Sequence, residues 1–170
     1  MNQIKISLIG ALGTGKSAFL NQHINSEFKG SYIGTMGCNV QSLTIDTNRG
    51  QYVLDIWDIP GSEGGGGTKD YYYHGSDVAI AFYTNESYVA DTTNFFIDDF
   101  KRVCPSVPII YVLNKMDLPT KMLPNGLIKI SKKIRGDNLL KISVKNNDNC
   151  NAPLLDALRI ATSFDDLALV

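Results

Sequence analysis

Four short stretches carry residue types able to handle a polyphosphate and a purine. Gly10-Ala11-Leu12-Gly13-Thr14-Gly15-Lys16-Ser17 fits G-x-x-x-x-G-K-[ST]. In that pattern the glycines let backbone N–H groups turn inward around a phosphate chain, the lysine reaches the terminal phosphates, and the serine hydroxyl ligates Mg2+. Gly13, Thr14, Gly15, Lys16, Ser17 and Ala18 are therefore the expected phosphate-binding residues. Asp58 and Gly61 form D-x-x-G: the carboxylate can hold a Mg2+-bound water and the glycine N–H can donate to a terminal phosphate, while a plain strand-end turn is the alternative reading. In Asn114-Lys115-Met116-Asp117 the Asp117 carboxylate can accept two parallel hydrogen bonds from the N1–H and 2-amino group of guanine. Adenine offers no such pair and would leave a buried carboxylate unpaired. Taken without the phosphate loop, the same residues read as a helix cap and surface charges before Pro119. Ser143-Val144-Lys145 can bring a backbone N–H to the guanine oxygen, a weak signal taken alone. The dinucleotide fingerprint G-x-G-x-x-G does not occur.

These stretches gain meaning from the elements that would position them. Residues 4–9 are an apolar, β-branched run of strand length, and 18–24 have helical apolar spacing, so the glycine loop sits between a strand and a helix. Residues 28–39 read as a loop, 40–47 as a strand, 47–50 as a hairpin turn, and 51–57 as its second arm with Tyr52, Leu54 and Ile56 on one face. Asp58-Ile59-Pro60-Gly61 ends that strand, and Gly64-Gly65-Gly66-Gly67 follow, each costing a helix about 1 kcal/mol relative to alanine. Residues 78–83 and 107–113 read as buried parallel strands, and 92–103 as a helix carrying Phe95, Phe96, Asp99 and Phe100, ended by Pro105. A short helix over 127–134, a last strand over 139–143 and a closing helix over 153–162 complete the chain. Alternating strands and helices predict one α/β domain over 1–170, with a six-stranded, mostly parallel sheet and helices on both faces. In such sheets ligands bind outside the carboxyl ends of the strands, which is where all four stretches fall.

Bulk composition narrows the function classes. With 170 residues, 44% hydrophobic, the chain is long enough to bury a real core. A net charge of -1 argues against direct nucleic-acid binding or an anionic-membrane surface, both of which draw on excess Lys and Arg. Cys38, Cys104 and Cys150 are scattered without C-x-x-C spacing, which predicts reduced thiols in the cytosol or nucleus and no zinc site. No signal peptide, transmembrane run or C-terminal cysteine for prenylation is expected, and the chain reads as a monomer without a membrane anchor.

The order of these motifs resembles the Ras-like small GTPases, whose fold is the P-loop NTPase G domain, over essentially the whole chain. Within them the Ran, or nuclear-transport, branch is the most similar. The residues carrying this are His23-Ile24-Asn25-Ser26-Glu27-Phe28, Thr35-Met36-Gly37, Thr47-Asn48-Arg49-Gly50, Trp57-Asp58, Tyr71-Tyr72, Arg102-Val103-Cys104 and Val107-Pro108-Ile109. The resemblance implies a GTP/GDP switch with Mg2+. Phe28 would pack against the guanine beside Asn114, Lys115, Asp117, Ser143, Val144 and Lys145. Thr35 would close on Mg2+ and the γ-phosphate as switch I, alongside Ser17 and Asp58 (through water), and Gly61 would open switch II. It also implies importin-type transport receptors, Ran-binding and exchange proteins as partners, and a place in nucleus and cytoplasm.

Two departures touch hydrolysis rather than binding. The family usually has Gln after the D-x-x-G glycine and Gly at the third loop position; this chain has Ser62 and Leu12. Serine is too short to orient the attacking water, and a leucine there would obstruct an activating protein. Of the catalytic set Lys16, Thr35 and Ser62, the last is impaired, and slow hydrolysis follows. Gly65 stands where Ran-like proteins carry a docking aromatic. Lys129, Lys132, Lys133 and Arg135 read equally as a receptor-facing basic patch or as a solvated face. Beside the Ran-like switch stand a catalytically idle, GTP-locked module that titrates Ran partners and, third, a Rab-like vesicle-traffic GTPase.

Overall fold

A computed structural model describes residues 2–25, 37–62, 68–119, 134 and 139–170. Among them are six strands and four helices: β1 Asn2–Gly10, α1 Lys16–Asn25, β2 Asn39–Thr47, β3 Gly50–Asp58, α2 Thr68–Tyr73, β4 Val78–Tyr83, α3 Ser87–Val103, β5 Ile109–Leu113, β6 Leu139–Lys141 and α4 Ala152–Thr162. The strands form one six-stranded sheet in the order β2-β3-β1-β4-β5-β6. Only the β2–β3 hairpin is antiparallel; every other neighbouring pair is parallel. This is the mostly parallel α/β architecture that the alternating pattern predicts.

Period-2 alternation sends successive side chains to opposite faces, and each face has its own core. Ile4, Ile6 and Leu8 of β1 with Val78, Ile80 and Phe82 of β4 pack against Phe19 and Leu20 of α1 and Leu154 and Leu158 of α4. Ile9, Ala79, Ala81 and Tyr83 face the other way, onto Tyr73 of α2 and Ala90, Ile97 and Phe100 of α3. With helices on both sides, all six residues of β4 are buried, which is why the strand reads as an unbroken apolar run. Tyr52, Leu54 and Ile56 of β3 are buried together as their alternation predicts.

Several boundaries differ from the sequence expectation, each for a packing reason. Helix α3 starts at Ser87 rather than 92, because Val89, Ala90, Thr93, Phe96, Ile97 and Phe100 form one buried stripe at helical spacing. Phe95 lies off that stripe and is exposed. Helix α2 was not foreseen: it has six polar and aromatic residues just after the glycine run, and tertiary contacts hold it. Tyr73 is fully buried with its ring 5.2 Å from Phe100, and Arg102 of α3 pairs with both Asp70 and Asp99. Strand β6 stops at Lys141, and Ser143 instead bridges Asp148. The helix expected over 127–134 lies outside the described residues except for Ile134, which is buried. Among the described residues, no helix is long and apolar enough to cross a membrane and no group of three His, Cys, Asp or Glu is placed to hold a metal ion.

The β2–β3 hairpin turns at Asn48-Arg49, and the end of the chain is bound to that turn. Asn48 N–H donates to the Ala168 carbonyl at 3.0 Å, Ala168 N–H returns a bond to Asn48 Oδ1 at 2.9 Å, and Arg49 pairs with Asp166. Leu167, fully buried, seats this segment in the core beside α4.

At the other end of the sheet, Gly10 leaves β1 with φ +138, and a Cβ there would stand 2.6 Å from the Phe82 carbonyl oxygen, a backbone atom that cannot swing aside. Gly10→Ala is expected to cost about 2–4 kcal/mol, lowering the melting temperature by roughly 5–12 °C for a chain of this size. Calorimetry showing a shift below 2 °C would contradict this close approach.

Candidate nucleotide site

The carboxyl ends of β1, β3, β5 and β6 bring the four predicted stretches to one edge of the sheet, where β4 also ends. The loop after β1 is set by its own residues. Gly13 and Gly15 have φ +75 and +97, and a Cβ on Gly15 would lie 2.3 Å from the Asn114 amide nitrogen. Thr14, fully buried, donates through its hydroxyl to the Ala11 carbonyl at 2.9 Å. From α3, the buried Thr93 hydroxyl accepts the Ala11 N–H at 3.1 Å and donates to the Phe82 carbonyl at 3.1 Å. Helix α1 then starts at Lys16, with Phe19 N–H bonded to the Gly15 carbonyl at 2.8 Å. The loop is thus shaped by contacts within the protein, with a helix N-terminus behind it that favours negative charge.

Lys16 is buried, and its ammonium donates to the Gly10 and Ala11 carbonyls, both at 2.9 Å. Burial pushes its pKa down to about 8, the Asp58 carboxylate pulls the other way, and the Lys69 ammonium adds to the lowering. A buried ammonium facing two neutral carbonyls gains strongly when a polyanion enters.

Asp58 is also buried. Its Oδ2 accepts the Ser17 hydroxyl, while Oδ1 has no hydrogen-bond partner among the described residues. Burial raises its carboxyl pKa above the ordinary range, against the Ser17 bond and the Lys16 charge. A serine hydroxyl beside an incompletely satisfied carboxylate is the hard-oxygen set that Mg2+ uses, so the residues present fit that ion. Gly61 is pressed against the loop: a Cβ on it would come within 2.6 Å of Gly10 O, Ala11 C and Leu12 N. Ser62 is exposed, and its carbonyl accepts the Lys69 ammonium at 2.7 Å. Leu12, at 49% exposure, stands on the open side of the loop.

The base side is organised by Asn114. Its N–H donates to the Tyr83 carbonyl at 2.9 Å, its Nδ2 to the Thr14 carbonyl at 2.9 Å, and its Oδ1 accepts the Val144 N–H at 3.1 Å. The carboxamide is therefore spent inside the protein, tying the phosphate loop to the loop after β6. Lys115 turns the chain with φ +65, and Met116 N–H reaches the Ile142 carbonyl at 3.2 Å. Asp117 follows, its side chain 9% exposed, with Oδ1 accepting the Ser143 hydroxyl at 2.6 Å and Oδ2 lying 3.9 Å from the Lys145 ammonium. Ser143 is fixed in turn by the Asn146 N–H at 3.2 Å on its hydroxyl oxygen. Ser143-Val144-Lys145 thus hold Asn114 and Asp117 in place, which gives the weak tripeptide a specific task.

Of the predicted site residues, those at 13–18, 58, 61–62, 114–117 and 143–145 lie along this edge; Phe28, Thr35, Gly65 and the basic residues Lys129, Lys132, Lys133 and Arg135 lie outside the described residues. Sequence reasoning missed Thr93, Lys69 and the pair Thr84-Asn85. The last two directly follow β4 and carry buried polar atoms, Thr84 Oγ1 and Asn85 Nδ2 and Oδ1, with no partner among the described residues. Two polar residues after an unbroken apolar strand were the available signal. A family model described as "Ras of Complex, Roc, domain of DAPkinase" matches residues 5–117, well over half of the chain.

The Lys16 environment sets a pH dependence for binding a triphosphate. Below about pH 8 the ammonium is already charged; above it, binding must take up a proton, because the bound polyanion raises a pKa that burial has lowered to about 8. Affinity is expected to be level from pH 6.5 to 7.5 and to fall about fivefold by pH 8.8. Titration calorimetry in two buffers of different ionisation enthalpy reads both the fall and the proton uptake; a flat profile would contradict the assignment.

Proposed function

We propose, for a chain that belongs to the Roc family of Ras-like GTPase domains, a guanine-nucleotide switch that holds GTP with Mg2+ and hydrolyses it slowly. A GTP-binding switch is the general character of the family; the nucleotide selectivity, the rate and the partners are this proposal's content. The observation that carries it is the Asn114 staple, which joins a formed phosphate loop to an Asp117 carboxylate held at a fixed distance from it. Gly13, Thr14, Gly15, Lys16, Ser17 and Ala18 would cradle the phosphates, Ser17 and Asp58 would hold Mg2+, and Asp117 would read the base, with Thr35 and Phe28 completing the set. When bound, Mg2+ neutralises charge on the β- and γ-phosphate oxygens.

Slow hydrolysis rests on Ser62 and Leu12. Assistance from an activating protein is worth around 10³ to 10⁵ in rate in this class, so its loss raises the barrier by roughly 4 to 7 kcal/mol. Ser62 is too short to orient the attacking water, and Leu12, half exposed on the glycine loop, would narrow an activator's approach. The same two residues favour a second reading, a GTP-locked module that works by binding alone. For partners, Thr47-Asn48-Arg49-Gly50 and the other Ran-like stretches support importin-type receptors and Ran-binding and exchange proteins, acting between nucleus and cytoplasm as a monomer. A Rab-like role has less support in the residues.

One titration series tests the nucleotide assignment. Wild type is expected to bind GTP at least a hundredfold more tightly than ATP, and Asp117→Asn to lose most of that preference, since an amide cannot accept both guanine donors. Chromatography of the nucleotide released on denaturation then separates the two readings, mostly GDP marking turnover and mostly GTP the locked form. Equal GTP and ATP affinities, or a preference untouched by Asp117→Asn, would overturn the assignment.

A further inference from the structure

Lys69, the second residue of α2, is 9% exposed, a rare depth for an ammonium. Its Nζ donates to the Ser62 carbonyl at 2.7 Å and stands 4.2 Å from the centroid of the buried Phe96 ring on α3. A carbonyl dipole and the negative face of a ring each suit a cation taken out of water. The acceptor is the residue after Gly61, which itself lies against the backbone of Gly10, Ala11 and Leu12. The Gly61–Ser62 turn is thus held between the phosphate loop and a buried positive charge. Helix α2 does not depend on this contact for its seat, because Tyr73 is buried in the core and Arg102 grips Asp70 separately.

We propose that Lys69 is a positioning residue for the terminal phosphate: by fixing the Ser62 carbonyl it holds the Gly61 peptide against the phosphate loop, and so lets the site tell a nucleoside triphosphate from a diphosphate. This rests on the guanine-nucleotide reading above and extends it. With serine at position 62, the side chain that usually orients the attacking water is missing, and contact with the terminal phosphate from this turn falls to the Gly61 backbone. A backbone donor discriminates only if its orientation is fixed, and Lys69 is the charged group that fixes it.

The test is equilibrium binding of GDP and of a non-hydrolysable GTP analogue to wild type, Lys69→Met, Lys69→Gln and Lys69→Arg, with thermal melting of each protein alongside. Methionine keeps the stem against Phe96 and removes the charge. Lys69→Met is expected to weaken the triphosphate analogue about tenfold while GDP affinity stays within twofold, and Lys69→Arg to restore most of the difference. If Lys69→Met melts early, Lys69→Gln, a polar side chain of similar length, carries the same expectation. An unchanged ratio of analogue to GDP affinity, whether both hold or both fall together, overturns the positioning role and leaves the nucleotide assignment standing. Wild type binding neither guanine nucleotide would overturn that assignment instead.

Discussion

A single buried carboxamide holds the site together. Asn114 donates to the Thr14 carbonyl and accepts from the Val144 N–H, so one side chain closes two loops that are 100 and 30 residues away in sequence. The Thr14 carbonyl and the Val144 N–H both lie outside helix and strand, so regular structure satisfies neither. Each needs an outside partner, and a buried amide with a donor on one atom and an acceptor on the other meets both needs. Losing it would strand two buried backbone groups, at about 1–3 kcal/mol each. The Cβ-free Gly15 is what lets Asn114 come so close.

The parallel sheet makes this contact possible. Five strands end at the same edge, and the loops after them carry the glycine loop with Lys16, Asp58 and Gly61, Asn114 and Asp117, and Ser143 to Lys145. Two apolar cores, one on each side, lock the strand registers, so a residue placed after a strand keeps a defined position relative to the residues after its neighbours. Charge is then handled locally. Lys16 is buried against two neutral carbonyls, and Asp58 is buried with its Oδ1 unbonded among the described residues, each held with less compensation than a structural ion pair usually receives. Such unrelieved burial is characteristic of sites built for ligands.

Much of this was legible in the residues. The glycine-lysine-serine spacing, the unbroken apolar run of β4 and the alternation of β3 each report a local physical demand that survives folding unchanged. What escaped depends on distant partners. Helix α2 has little intrinsic tendency to form after four glycines, and it exists because Arg102 and the core around Tyr73 hold it. The early start of α3 shows only when Val89 and Ala90 are seen on the same stripe as Phe96 and Phe100. Thr93 looked like any helical threonine, although its hydroxyl sets the Ala11 amide. Asn114 stood in the right motif, but its type alone did not reveal that both ends of its carboxamide are engaged within the protein.

The central claim is that the phosphate and base halves of the site act as one unit through Asn114. The dissociation rate of GDP from Asn114→Ala, measured by fluorescence on protein whose circular dichroism matches wild type, tests it most directly. The loss of two buried bonds predicts release faster by about a hundredfold or more. A rate within twofold of wild type would show that the two halves hold their places without the staple, and the account would be wrong.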